Sequence, residues 1–68
     1  MDPRTHRRFL EYRETFGYFR AERRTMLGRE DWVTLDDELA ALEARPPREW
    51  SEEEALRVRT LKRVLLRD

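Results

Sequence analysis

Cysteine, asparagine and glutamine are absent from these 68 residues, and serine, histidine and lysine occur once each. Without cysteine there are no disulfide staples and no thiolate ligands. His6 stands alone near one end, whereas a zinc site needs three or four N, S or O ligands. Gly17 and Gly28 are the only glycines, so no glycine-rich phosphate loop can form. The longest apolar stretches, such as Leu39–Leu42, fall far short of the roughly 20 residues that cross a bilayer. No basic-then-apolar leader opens the chain, so export is not indicated. These absences point away from an enzyme, a metal, a cofactor or a membrane, and towards a cytoplasmic protein.

Charge fills the space that other polar residues leave. Charged side chains make up 44% of the chain, 15 basic against 15 acidic, and the neutral sum argues against a simple polyanion binder. One domain, residues 1–68, is all that this length allows, and a chain so short buries only about 60% of its unfolded surface. Tight helix packing or self-association must make up the difference.

Residues 3–27 read as one long helix. Asp2 can accept from the free N–H groups of a first turn, and Pro3 loses no hydrogen bond there. Gly28 stands where a left-handed residue would close the helix. Phe9, Tyr12, Phe16, Phe19, Met26 and Leu27 fall within about 100° of arc, an amphipathic helix spacing. Arg23 lies inside that strip and calls for a carboxylate from the next helix. Gly17 costs roughly 1 kcal/mol against alanine in a helix interior. With Leu10 and Ala21 it forms a second strip, edged by Tyr18, where small residues would admit another helix. Leu10, Gly17, Tyr18 and Ala21 are therefore the candidate partner interface.

A second helix is expected over 31–45. Trp32, Leu35, Leu39 and Leu42 make its apolar strip, and its start lies either at Thr34, whose spacing to Asp37 resembles a capping box, or near Glu30. Pro46 and Pro47 end it. A third helix over 52–67 opens with Ser51 and Glu54, a full capping box, and Trp50 ahead of it is placed to staple onto Ala55. Val58, Leu61, Val64 and Leu65 form its apolar face, with no C-terminal cap, so the last turn should fray. REWSEEEAL, residues 48–56, resembles the tryptophan-led opening of Myb/SANT repeats over those nine residues; a capping box with a staple accounts for the same letters. The expected fold is all-α: a three-helix bundle or helical hairpin assembly built on one long N-terminal helix, with antiparallel neighbours.

The charges are segregated. Residues 1–29 carry eight basic and four acidic groups, 30–54 two and ten, and 55–68 five and one, for net charges of +4, −8 and +4. Acids at the starts of helices two and three, and bases at the end of helix three, complement the helix dipoles. Helix one breaks that rule, because Arg4, His6, Arg7 and Arg8 crowd its positive end. Pairing between helices is one explanation: Arg4, Arg7 and Arg8 facing Glu49 and Glu52–Glu54, and Arg20, Arg23 and Arg24 facing Glu30, Asp31 and Asp36–Glu38. Anion binding by Arg4, His6, Arg7 and Arg8 is the other. The function expected is a small non-catalytic protein-interaction or regulatory module that packs through helices and forms a homodimer. The alternative is an accessory nucleic-acid binder using Arg4, Arg7, Arg8 and Arg13.

Overall fold

A computed structural model describes residues 1–19 and 25–67. Three α-helices follow one another: α1 (Pro3–Phe19), α2 (Arg29–Glu43) and α3 (Glu52–Val64), with a one-turn 3-10 helix at Pro47–Glu49 between the last two. The fold is all-α, as the spacing of apolar residues predicts. α2 and α3 form an antiparallel hairpin, in which Arg45 reaches Glu54, Arg57 reaches Glu38 and Arg67 reaches Asp36. α1 runs antiparallel to α2, so that Arg8, Phe9 and Tyr12 meet Asp36, Trp32 and Leu27 in turn.

The start of α1 is as expected. Asp2 accepts from the Thr5 N–H at 2.9 Å, which satisfies a first-turn donor. Its end is not. Thr25–Gly28 are outside any helix, and Gly28 (φ −69°, ψ 164°) is the extended N-cap of α2, not a left-handed close to α1. The Leu27 N–H donates to the Tyr12 hydroxyl at 3.0 Å. Along an unbroken helix those residues would lie roughly 22 Å apart at 1.5 Å per residue. Turning the chain back lets Leu27 pack against the core beside Tyr12, which a rod through residue 27 could not do. Arg20, Ala21, Arg23 and Arg24, and the partners expected for them, lie outside the described residues.

The core is Phe9, Tyr12, Trp32, Leu39, Val58, Leu61 and Leu65, with Phe16, Leu27, Leu35, Leu42 and Trp50 packed around it. The Phe9 and Trp32 rings meet at 5.3 Å, tilted by 58°. Phe19, expected in this strip, is 71% exposed, and Met26 is exposed as well. Phe19 shares its face of α1 with Tyr12 but sits two turns further on, past the level at which Leu27 leads into α2.

α2 begins at Arg29, next to the earlier of the two starting points considered, with Glu30 and Asp31 in its first turn. Thr34 is therefore interior, and its hydroxyl donates to the Glu30 carbonyl at 3.0 Å instead of capping. Ser51 does cap: its hydroxyl accepts from the Glu54 N–H, and the Glu54 carboxylate accepts from the Ser51 N–H at 3.0 Å. The Trp50 indole N–H donates to the Leu42 carbonyl at 2.7 Å, which fastens the hairpin turn back onto α2.

The end of α3 differs most from expectation. The helix stops at Val64, and Leu66 adopts φ 59°. The Leu66 N–H then donates to the Arg63 carbonyl and the Arg67 N–H to the Lys62 carbonyl, a Schellman closure made without glycine. The end is therefore capped, and the left-handed residue redirects Arg67 towards α2. Replacing the cap of α3, Ser51→Ala, lowers unfolding free energy by about 1 kcal/mol. Thr34→Ala leaves it unchanged or slightly raised, because alanine is the better interior helix residue. Urea denaturation of the two variants checks both outcomes.

Candidate functional site: a buried carboxylate and an uncovered helix end

Asp36 is the single buried charged residue among those described, at 2% exposure. It occupies the apolar strip of α2, one turn from both Trp32 and Leu39. Arg8 of α1 grips it through Nε on Oδ1 at 3.3 Å and Nη2 on Oδ2 at 2.9 Å. Arg67, beyond α3, donates Nη2 to Oδ1 and lays its guanidinium 5.7 Å from the centre of the Trp32 ring. Arg8 Nη2 also donates to the Thr5 hydroxyl, which in turn donates to Asp2. One carboxylate thus ties together α1, α2 and the segment after α3.

Burial is the strongest single influence on the Asp36 carboxyl and pushes its pKa up. Hydrogen bonds from Arg8 and then Arg67, with the charge of both, outweigh it and hold the group below the usual carboxylate range. The hydrogen bond to Asp36 raises Arg8 in return. A buried carboxyl with a displaced pKa is often a functional group, but ion-pair networks displace pKa values too. Here both oxygens are occupied by guanidinium donors, so neither is open to a substrate or a metal. Trp32 Nε1, buried in the same region, has no hydrogen-bond partner among the described residues.

The anion-binding candidates separate on this geometry. Arg4, His6 and Arg7 are exposed on the first two turns of α1, and none is ion-paired among the described residues. Arg8 is turned inward onto Asp36 and not towards Glu49 or Glu52–Glu54. Those acids lie at the far end of the hairpin, where Glu54 pairs with Arg45, while the middle of α1 lies against Leu65, Leu66 and Arg67. Arg13 spreads over the Phe9 ring, 6.0 Å from its centre. No cluster of three or more metal-ligating side chains is present among the described residues.

The partner-interface candidates lie on the outside of α1. Leu10 is 42% exposed, Tyr18 is 82% exposed, and a Cβ on Gly17 would meet no atom within 4 Å among the described residues beyond the helix's own backbone. Ala21 lies outside the described residues. Phe19 joins the exposed group, its ring edge-on to Tyr18 with centroids 4.9 Å apart. Leu10 borders a shallow groove floored by Phe9, Met26 and Leu27 and edged by His6, Arg13 and Arg29.

Two features escape a reading of the sequence alone: the Asp36 clamp and the exposure of Phe19. The first left a signal, since Asp36 falls inside the strip Trp32–Leu35–Leu39 and a carboxylate there demands cationic partners. The second left none, because periodicity does not say where a neighbouring helix ends. Among known proteins, no family model, no curated protein and no solved structure matches the chain.

Asp36→Ala leaves two partly buried guanidinium groups without their counter-charge and lowers unfolding free energy by about 3 kcal/mol. Acid acts on the same bond. Asp36, Glu38 and Glu54 all titrate below their ordinary values, the last two chiefly through hydrogen bonds from Arg57 and Arg45. Their stabilising effect is complete above about pH 5, where the unfolded carboxyls are also ionised, and is lost as pH falls through the folded-state values. Urea midpoints measured between neutral and strongly acid pH should fall on acidification, and fall less steeply in Asp36→Asn.

Proposed function

We propose that the protein is a non-catalytic helical interaction module that binds through the outer side of α1 and its Tyr18–Phe19 pair, self-association included. The observation that carries this reading is the uncovered pair Tyr18 and Phe19, with Leu10 on the same helix, in a chain with so few apolar residues to bury. Adjoining exposed apolar groups of this kind mark interaction surfaces. The two rings lie edge to face, so a partner meets them as one aromatic patch. No helix among the described residues is long and apolar enough to cross a membrane, and a cytoplasmic setting goes with this reading.

Nucleic-acid binding is the second reading, favoured by the exposed, unpaired Arg4 and Arg7. Two features count against it. The Asp2 carboxylate already occupies the first-turn donors that a phosphate would use, and Arg8 is engaged by Asp36. Glu11 and Glu14, also exposed, would face the same polyanion.

Affinity capture from the native host, read by quantitative mass spectrometry, tests the first reading. Proteins retained by the wild type should be lost with Tyr18→Asp plus Phe19→Asp, while far-UV circular dichroism stays unchanged. Identical capture by both chains would remove the α1 end from consideration. For the second reading, binding to single- or double-stranded DNA at low salt should weaken steeply with added salt and on Arg4→Ala plus Arg7→Ala. Arg8→Ala is not a clean probe, because it also breaks the Asp36 clamp.

A further inference from the structure

The outer face of α1 is chemically self-complementary. Arg7, Leu10, Glu14 and Gly17 follow one another at spacings of three, four and three, the pattern of a helix–helix seam. All four are exposed, and Arg4, Glu11 and Tyr18 border them on one side. Charge along this face changes sign midway: Arg4 and Arg7 occupy the first half, Glu11 and Glu14 the second. None of these four is ion-paired among the described residues. A uniformly acidic or basic partner would be repelled by one half of the face. A second α1 laid antiparallel meets the opposite charge in both halves.

Gly17 adds an independent constraint. It has no positive φ, and a Cβ there would touch nothing within 4 Å among the described residues beyond the helix's own backbone. Nothing among the described residues therefore requires glycine, although glycine in a helix interior costs about 1 kcal/mol. A closely approaching second helix supplies the missing requirement.

We propose that two copies of the chain dock through this face as an antiparallel, two-fold α1 pair. In the register that satisfies the charges, Arg7 of each copy faces Glu14 of the other and the two Leu10 side chains meet near the axis. Arg4 then lies over the other copy's Gly17–Tyr18 end, where the absent side chain leaves room and the Tyr18 ring offers a face to the guanidinium. The inference rests on the reading of α1 as an interaction surface and specifies its occupant. A contact made by one 17-residue helix from each side is small, so the dimer is weak and reversible. Salt weakens it further by screening the paired charges.

Charge reversal tests the register. Arg7→Glu gives a chain with acids at both positions, and Glu14→Arg gives one with bases at both. Both sites are exposed, so both variants keep the wild-type fold, as circular dichroism and thermal melting verify. By sedimentation equilibrium at low salt, each variant alone should self-associate at least about tenfold more weakly than the wild type. An equimolar mixture should recover association to within about threefold of it, because every contact between unlike chains is then attractive. Wild-type protein that stays monomeric at roughly 1 mM, a concentration that would populate even a very weak dimer, overturns self-docking. It leaves the interaction reading to the capture experiment, which can still succeed with a different protein. Wild-type association that neither reversal weakens, or a mixture that does not recover, overturns this face and register.

Discussion

The Asp36 carboxylate and its two arginines hold this architecture together. Among the described residues only the α2–α3 hairpin packs along much of its length, and α1 is fixed to that hairpin by fewer contacts. Arg8 and Arg67 converge on Asp36 from α1 and from the segment beyond α3, so the one buried charge is also the point where three segments meet. A buried ion pair adds little net stability compared with an apolar replacement of the same volume. It does penalise alternatives, since any other placement of α1 takes Arg8 away and leaves the carboxylate beside Trp32 with Arg67 alone. In a core of seven buried apolar residues, such a penalty helps select one arrangement.

The clamp depends on backbone detail at both flanks. Leu66 is left-handed, a conformation that costs a residue with a Cβ about 1 kcal/mol or more. That cost is offset by the Schellman hydrogen bonds, and it aims Arg67 across the Trp32 ring at Asp36. On the other side, Asp2 holds Thr5, and Thr5 accepts from Arg8, so the N-cap of α1 and the clamp share one hydrogen-bonded chain. Caps that ordinarily only finish helices here also orient the arginines.

α1 consequently has two different sides. The side bearing Phe9, Tyr12 and Arg8 belongs to the fold. The other, with Arg7, Leu10, Glu14, Gly17 and Tyr18, has no role within the described chain, and the exposed Phe19 adjoins Tyr18 from the core side. The principal extents of 34 × 29 × 16 Å describe a slab, in which each helix keeps a broad side open. A slab of helices with one ordered aromatic edge is suited to binding by surface contact, the mode of action proposed for this protein.

The sequence alone was enough for the helical class, the three segments, the Asp2 and Ser51 caps, the break at Pro46–Pro47 and most of the core, because helix periodicity, capping chemistry and proline geometry are local. It was also enough to mark Leu10, Gly17 and Tyr18 as lacking a reason on the core side of α1. It could not locate the end of α1, because Met26 and Leu27 continue the periodicity of Phe9 and Tyr12 whether the chain runs straight on or turns back. Nor could it choose partners for the arginines: many pairings satisfy the same charges, and only the relative placement of the helices brings Arg8 to Asp36 and leaves Arg4 and Arg7 outside. Phe19 illustrates the same division. Its side of the helix is written in its spacing, but its exposure follows from where the neighbouring helix begins, and that position is set by long-range packing of Leu27 and Trp32 against Tyr12 and Phe9.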